Sequence, residues 1–409
     1  TDGVSSPQKI LHKRSAEAFL RGGFPHMRTV RYFYTVYFPV RLPRTDCFFC
    51  PAACILFDML FIFVPLLAAA GFLILCFSAG FVLFGFLCVR SVYAKHSFVD
   101  NADHIKDEKV YPVLLEAKNR IDEKSQEKVA IRSAPLHRLF PLPRFFPKKT
   151  LKLCADLQLQ NDAESASDKK HFAVLVHGFS DSARGMAYLA EAYYKNGFSV
   201  LSVNLRAHGE SEGRFAGLGH LTTDAADLAL WLRFLVNRFG KDIRIVLHGV
   251  SMGAAAAVQC AYGIIAVQDE CADEKAALKT VAADCGFYRF SEQVERQLSL
   301  FLSAKGIHRA VFGCAAKAAS FFNLWVNGFS FSADCPGTTL AACTQAQPFE
   351  LVLFHGSADT LVPPADAHRL YEAAHEPKRL VLTEGAPHIG SFFYAPEKYM
   401  AAVLKNFSD

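Results

Sequence analysis

Residues 246–257 read VLHGVSMGAAAA, and this stretch decides the fold. It closes an apolar run that begins at Ile243, carries Gly249-Val250-Ser251-Met252-Gly253, and passes into alanines. A short apolar run of this kind predicts a buried strand, and the alanine-rich segment from Met252 to Tyr262 predicts a helix. A serine at the junction, with a glycine two residues away on each side, fits a tight strand-to-helix turn that presents its hydroxyl. The plainer role for such a serine is to cap the helix. Capping leaves both glycines unexplained, so the pattern favours a nucleophile.

The same rhythm runs outward in both directions. FAVLVHG (172–178), FSVLSVN (198–204), LKTVAADCG (278–286), FELVLFHG (349–356) and KRLVLTEG (378–385) are further strand-like runs, and TLKLCADLQLQ (150–160) alternates as a strand should. Between them, Ala183–Lys195, Leu221–Phe239, Pro364–Ala374 and Pro396–Phe407 have helical patterning. Strands alternating with helices predict a mostly parallel sheet covered by helices on both faces. The alternation lapses between Phe287 and Gln347, which marks an insertion.

A serine hydroxyl is a weak nucleophile until a base takes its proton, so the fold must supply an imidazole and an acid that orients it. The order expected after a serine of this kind is acid, then histidine. LFHGSADTLVPP puts Asp359 in the loop after one strand, and LTEGAPHIGSF puts His388 in the loop after the last. Strand ends of an α/β sheet are where loop-borne functional groups collect. Asp284 also follows a strand and competes for the acid's role; His355 lies in the Asp359 loop. His368 and His375 fall on a helix as packing or surface residues, and Asp366 reads as a first-turn helix acid. Acyl transfer further needs donors for a developing oxyanion. The Met252 amide, at a helix N-terminus, is one candidate, and the Phe179 amide in His177-Gly178-Phe179-Ser180 is the other. A bland tight turn competes for that second stretch. NLRAHGESEG (204–213) reads as a brace for these loops through hydrogen bonds and ion pairs, with His208 too early in the chain to be the base.

From about Phe172 onward the chain resembles the α/β-hydrolase superfamily, through HGFS, RAHGES, GVSMG, HGSADTLVP and EGAPHI taken in order. Within it the chain is similar to bacterial serine hydrolases with an N-terminal membrane anchor, a group related to eukaryotic membrane-associated hydrolases that include protein depalmitoylases. The resemblance implies an α/β-hydrolase fold with a cap insertion at about 287–347, Ser251, Asp359 and His388 as a triad, and Phe179 and Met252 as oxyanion donors. It calls for no cofactor and no metal. One departure is Ala207, which stands where the family loop usually has glycine.

The front of the chain has a different character. Residues 59–89, MLFIFVPLLAAAGFLILCFSAGFVLFGFLCV, contain no charged residue and exceed the roughly 20 apolar residues that a spanning helix needs. A transmembrane segment is expected there, as a single span or as a hairpin broken near Gly71 and Ser78–Gly80. The run is about twice the length of a signal-peptide core. Residues 1–58 form a basic segment, with Met27 and Met59 as alternative starts; 90–150 read as a connecting helix over Asn101–Arg132 followed by a proline-rich linker; 151–409 form the hydrolase domain. The basic excess before the span favours a cytoplasmic N-terminus, but Arg90, Lys95, Lys106 and Lys109 follow it closely, so charge does not choose the side. The expected location is a bacterial inner membrane.

The net charge of +5 is too modest for a nucleic-acid binder. Of 12 cysteines, five sit in or beside the span and the rest are scattered, which does not form a disulfide framework. Cys47 and Cys50 form a C-x-x-C that suits lipid-facing or acylated thiols better than zinc, because no partner ligands stand at zinc spacing. The insertion holds Phe287, Phe290, Phe301, Phe312, Phe321, Phe322, Trp325, Phe329 and Phe331, which either line an acyl pocket or pack the cap onto the core. The expected function is a membrane-anchored serine hydrolase acting on carboxylic esters or thioesters, with a lipid or an acylated protein as substrate. A serine peptidase or amidase would use the same groups, and a non-catalytic membrane scaffold is a third reading.

Overall fold

Six of the apolar runs are parallel strands, and five of them have almost no face left to water. The computed structural model describes residues 112–113, 116–117, 126–133, 150–160, 170–213, 221–267, 270–303, 317, 320–321, 330–332 and 335–407. Eight strands form one sheet: β1 (Glu127–Ser133), β2 (Leu151–Gln158), β3 (His171–Val176), β4 (Ser199–Val203), β5 (Arg244–Val250), β6 (Leu278–Asp284), β7 (Glu350–Gly356) and β8 (Lys378–Thr383), in the spatial order β1-β2-β4-β3-β5-β6-β7-β8. β2 is antiparallel to its neighbours β1 and β4, and every pair from β4 onward is parallel. This is the α/β-hydrolase fold. Strands β3, β4, β5 and β7 are buried on both faces except at their first residues or not even there, which explains continuous apolar runs in place of alternation.

Among the described residues the sheet is accompanied by helices α1 (Ala187–Lys195), α2 (Leu221–Phe239), α3 (Met252–Ala266), α4 (Ala272–Ala277), α5 (Phe290–Ser303), α6 (Pro336–Ala342), α7 (Pro364–Ala373), α8 (Ser391–Tyr394) and α9 (Pro396–Leu404). They divide the core into two clusters. One, containing Trp231, Leu232, Met252 and Ala256, joins α2 and α3 to the sheet. The other, containing Tyr188, Tyr193, Phe354 and Tyr399, joins α1 and α9 to its opposite face. α3 carries a run of four alanines, Ala254 to Ala257, near its start and is buried along most of its length, because it is clamped between the sheet and α2.

The sheet starts earlier than the expected domain boundary at residue 151. A helix expected through Arg132 gives way at Glu127 to an edge strand, seven residues long and paired with β2 in full register. Its residues alternate between exposed and buried, with Val129 and Ser133 inward, and its charged outer face masked the strand pattern. The expected transmembrane segment 59–89, the basic segment 1–58, the C-x-x-C and the proline-rich linker lie outside the described residues. Among the described residues no helix is long and apolar enough to cross a membrane.

In the insertion, Phe287, Phe290 and Phe331 are buried and meet in turn, the first pair tilted and the second edge-to-face, with ring centroids 5.8 and 5.3 Å apart. Those three rings pack the insertion onto the core, while Phe321 is exposed. The insertion's first helix is fastened to the Asp359 loop: the Gln293 amide donates to the Leu361 carbonyl at 3.1 Å, and Arg369 of α7 pairs with Glu292 at 2.6 Å.

Ala207 adopts φ +59°, the left-handed region where a Cβ is disfavoured. The turn is held there by hydrogen bonds from the Ala207 amide to Glu212 and from the His208 amide to Leu205. Replacing Ala207 with Gly is expected to stabilise the protein by about 1 kcal/mol and raise the thermal midpoint by about 2–4 °C, with calorimetry as the measurement.

Candidate active site

Ser251 sits in the one-residue turn between β5 and α3, with φ 55° and ψ −115°. That conformation is expensive for a side-chain-bearing residue, and its surroundings enforce it. A Cβ at Gly249 would run into the Gly253 carbonyl, and one at Gly253 would run into the carbonyls of Val176 and His177. Both glycines of the motif are therefore demanded by close backbone approach, and Gly253 in particular lets α3 press against the end of β3. The Ser251 amide donates to the Asp284 carbonyl at 2.8 Å, tying the turn to β6. No side-chain cap bond is made by Ser251, so its hydroxyl is not spent on the helix.

The strand order reverses at β3, which lies between β4 and β5. Crevices in open α/β sheets form at the carboxyl ends of strands where this happens. The loop after β3 brings His177, Gly178 and Phe179 to that point. His177 is fully buried; its Nε2 accepts the Leu205 amide at 3.1 Å, so its proton is on Nδ1 and is donated to the Gly178 carbonyl at 2.7 Å. In a trans peptide the carbonyl and the following N–H point in opposite directions, so holding the Gly178 carbonyl also aims the Phe179 N–H. Among the described residues no hydrogen bond uses the amide of Phe179 or of Met252.

The structure brings His388 and Asp359 to Ser251. His388 Nε2 lies 3.1 Å from Ser251 Oγ, and His388 Nδ1 lies 2.7 Å from Asp359 Oδ2. Asp359 is buried, and its Oδ1 accepts the amides of Leu361 and Val362, each at 2.9 Å. Burial alone would raise the Asp359 pKa, but donors from His355 and His388 outweigh it and hold the carboxyl well below the usual range. The acid and histidine loops are laced together: Ser357 donates its amide to Thr383, Ala358 to Ala386, and Gly385 to the Ser357 hydroxyl at 2.8 Å. A Cβ at Gly356 would strike the Ala386 carbonyl, so this glycine too is needed for the approach.

Asp284, the competing acid, is fully buried behind this line and accepts from Tyr399 Oη at 3.0 Å, not from His388. It terminates a chain of polar groups that sequence reasoning missed. Tyr193 Oη and Tyr399 Oη each lie 2.8 Å from a ring nitrogen of His248. Since Tyr399 gives its proton to Asp284, His248 Nε2 donates to Tyr399 and Nδ1 accepts from Tyr193. His248 stands inside the quoted motif, yet its partners come from helices 55 and 151 residues away, beyond any local signal. Burial lowers its pKa to about 3, so the ring is neutral. Burial, with His208 nearby, lowers that of His177 to about 3 as well.

The NLRAHGESEG loop is a brace. Arg206, buried, forms an ion pair with Asp227 of α2 and donates to Ser133 Oγ of β1 at 2.8 Å; burial opposes its charge, and Asp227 outweighs that. Asn204 Oδ1 accepts the Ala183 amide and Ser211 Oγ donates to the Asn204 carbonyl, at 2.8 and 2.7 Å. His208 Nδ1 is engaged by the Arg206 carbonyl at 2.8 Å. Asp366 is a buried first-turn residue of α7, and His375 Nε2 bonds the Cys343 carbonyl at the surface. Cys285, Asp359 and His388 could bring three ligand atoms within 4.8 Å of one another, but two of the three are already joined by a hydrogen bond.

Residues 167–274, from β3 to α4, match the family model Hydrolase_4, described as serine aminopeptidase, S33. The chain is 25% identical over 245 residues to the uncharacterized protein YqkD of Bacillus subtilis (strain 168), covering 59% of this chain and 73% of that one. It is 35% identical over 103 residues to a multifunctional-autoprocessing repeats-in-toxin of Vibrio cholerae, covering 25% of this chain and only 2% of the toxin. An esterase of Pyrococcus furiosus aligns in three dimensions with 19% identity and a TM-score of 0.49, covering 70% of this chain and 92% of that one. The family match supports a hydrolase.

Two expectations concern the buried polar groups. Tyr399→Phe removes the donor to Asp284 and the acceptor of His248, and should cost about 1–3 kcal/mol in urea unfolding. His177 and His248 have folded pKa values near 3 against about 6.5 unfolded, so below roughly pH 6.5 the unfolded chain binds protons that the folded chain does not. Stability should therefore fall as pH falls through that window, by up to about 1.4 kcal/mol per pH unit for each ring. A flat stability between neutral and mildly acidic pH would refute the neutral assignment.

Proposed function

We propose that the protein is a serine hydrolase that cleaves carboxylic esters or thioesters through an acyl-enzyme intermediate. The observation that carries this reading is the line from Asp359 Oδ2 to His388 Nδ1 at 2.7 Å and from His388 Nε2 to Ser251 Oγ at 3.1 Å. Ser251 Oγ attacks the substrate carbonyl carbon while His388 Nε2 takes its proton. The carbonyl electrons move to oxygen, and the amides of Phe179 and Met252 stabilise that oxyanion. Collapse expels the alcohol or thiol, which leaves with the proton from His388. Water then attacks the acyl-enzyme with His388 again as base, releasing the acid and restoring Ser251. Asp359 keeps the imidazole in the tautomer with its proton on Nδ1 and stabilises the charged ring; the donors around it keep it ionised across the working range.

A serine peptidase or amidase is the second reading, favoured by the serine aminopeptidase description of the family matched over residues 167–274. The chemistry differs only in the leaving group, an amine that needs the His388 proton more. The reading includes attachment to a bacterial inner membrane through the uncharged stretch 59–89, with a lipid or acylated protein as substrate.

Fluorophosphonate probes should label Ser251, and Ser251→Ala should abolish both labelling and hydrolysis of short p-nitrophenyl esters. Turnover surviving that change would overturn the assignment, and absence of labelling in the wild type would favour a scaffold. Asp359→Asn is expected to reduce kcat by about 10³–10⁴-fold with little change in KM. Parallel rates on acyl esters, acyl thioesters and aminoacyl amides decide between the two readings, and a chain-length series tests whether the insertion accepts long acyl groups.

A further inference from the structure

His355 is the penultimate residue of β7, fully buried, and has no part in the proton transfers described above. Its Nε2 lies 2.9 Å from the Val362 carbonyl and 3.2 Å from Asp359 Oδ2. A carbonyl only accepts, so Nε2 carries a proton and shares it between the two oxygens. The oxygen it reaches is the same Oδ2 that holds His388 Nδ1 at 2.7 Å. Asp359 is thus gripped by two backbone amides on one oxygen and by two imidazoles on the other. His355 Nδ1, by contrast, is buried and has no hydrogen-bond partner.

We propose that His355 is a positioning residue of the Ser251 reaction: by donating Nε2–H to Asp359 Oδ2 it draws charge from the oxygen that holds His388, and so sets the pH at which His388 becomes a base. The inference rests on the roles proposed above for Ser251, His388 and Asp359. The charged groups that face His355 are Asp359, in its own loop, and Asp284, at the end of β6; both favour a proton on the ring, and burial opposes it. Beyond Asp284 stands the Cys285 thiol, whose pKa burial pushes up, so it adds no charge. The sign of the effect does not depend on the state of the ring. Neutral His355 withdraws charge from Oδ2 as a hydrogen-bond donor, and cationic His355 withdraws more. Without it the Asp359 charge is concentrated on His388, the imidazolium is favoured, and His388 should lose its proton only at higher pH.

The test is the pH profile of kcat/KM on a short p-nitrophenyl ester, normalised to Ser251 sites counted with a fluorophosphonate. In His355→Leu the acidic limb should move up by about 0.5–1 pH unit, a 3- to 10-fold loss on that limb, while the alkaline plateau keeps most of its height. His355→Asn, which retains an N–H donor, should return the limb toward the wild-type position. The low-field proton resonance of His388 Nδ1–H should shift in the Leu variant and recover in the Asn variant. If the Leu variant does not fold, His355→Phe fills the space without a donor and carries the same expectation. An acidic limb that stays put in a folded, fully labelled donorless variant overturns the proposal, as does a uniform loss at every pH. Activity that persists in Ser251→Ala would instead remove the reading of the site on which it rests.

Discussion

The close approach of Gly253 to the carbonyls of Val176 and His177 is the constraint on which the rest of the site depends. It brings the N-terminus of α3 against the C-terminal end of β3, two elements separated by two whole strands in sequence. Three consequences follow from that one contact. The turn at Ser251 has no room to relax from its positive φ. Met252, first in α3, is brought with Ser251 to the end of β3, where the loop that begins at His177 starts. That loop then has its own direction set by the hydrogen bond from His177 to the Gly178 carbonyl. A single methyl group at residue 253 would have to push a helix off a sheet, which is a far larger disturbance than its volume suggests.

Behind the line of Ser251, His388 and Asp359 lies a second layer that meets it through the Ser251 main chain. Asp284 fixes the turn through its main chain, by accepting the Ser251 amide, and anchors α9 through its side chain, by accepting Tyr399. The Tyr193, His248 and Tyr399 groups complete a directional run of donors across the centre of the sheet. Each member is nine-tenths buried or more, so each must be paired, and pairing is possible only when α1, β5, α9 and β6 stand in their native positions. Polar groups in this setting add little net stability and much specificity of arrangement, because a displaced helix would leave several of them orphaned at once.

What was legible in the sequence follows from this division. Parallel strands buried on both faces write themselves as apolar runs, and glycines required by backbone approach appear as a spaced motif, so β3 to β7 and the Ser251 turn could be read directly; β8, half-buried, was legible through its Leu380-Val381-Leu382 run. Asp359 and His388 could be read because each stands a few residues past a strand end, where chain order and loop position combine. β1 could not. As an edge strand facing water it carries Glu127, Lys128, Ile131 and Arg132 on or near the surface, and nothing in that composition separates it from the end of a charged helix. The role of His248 was invisible for a different reason, and that of His355 was marked only by its nearness to Asp359 in sequence. Their importance lies wholly in partners distant in sequence or in a loop's three-dimensional path, and an isolated histidine in an apolar run carries no mark of either.

The two core histidines also explain why a site with so many imidazoles has a single candidate base. Five histidines surround it: His177, His208, His248, His355 and His388. Each of the first four is committed through a hydrogen bond to a backbone oxygen or a buried phenol, and all four are fully buried. Only His388 combines partial exposure with an acceptor on one nitrogen and a hydroxyl on the other. The ordering is set by desolvation. Burial that drives His177 and His248 to neutrality removes them as competing bases or charges beside His388. His355 departs from that rule because two carboxylates face it, and it is the one ring of the four that meets the acid on which His388 depends. The control of His388 therefore runs through Asp359, where the competition between two imidazoles for one oxygen is decided.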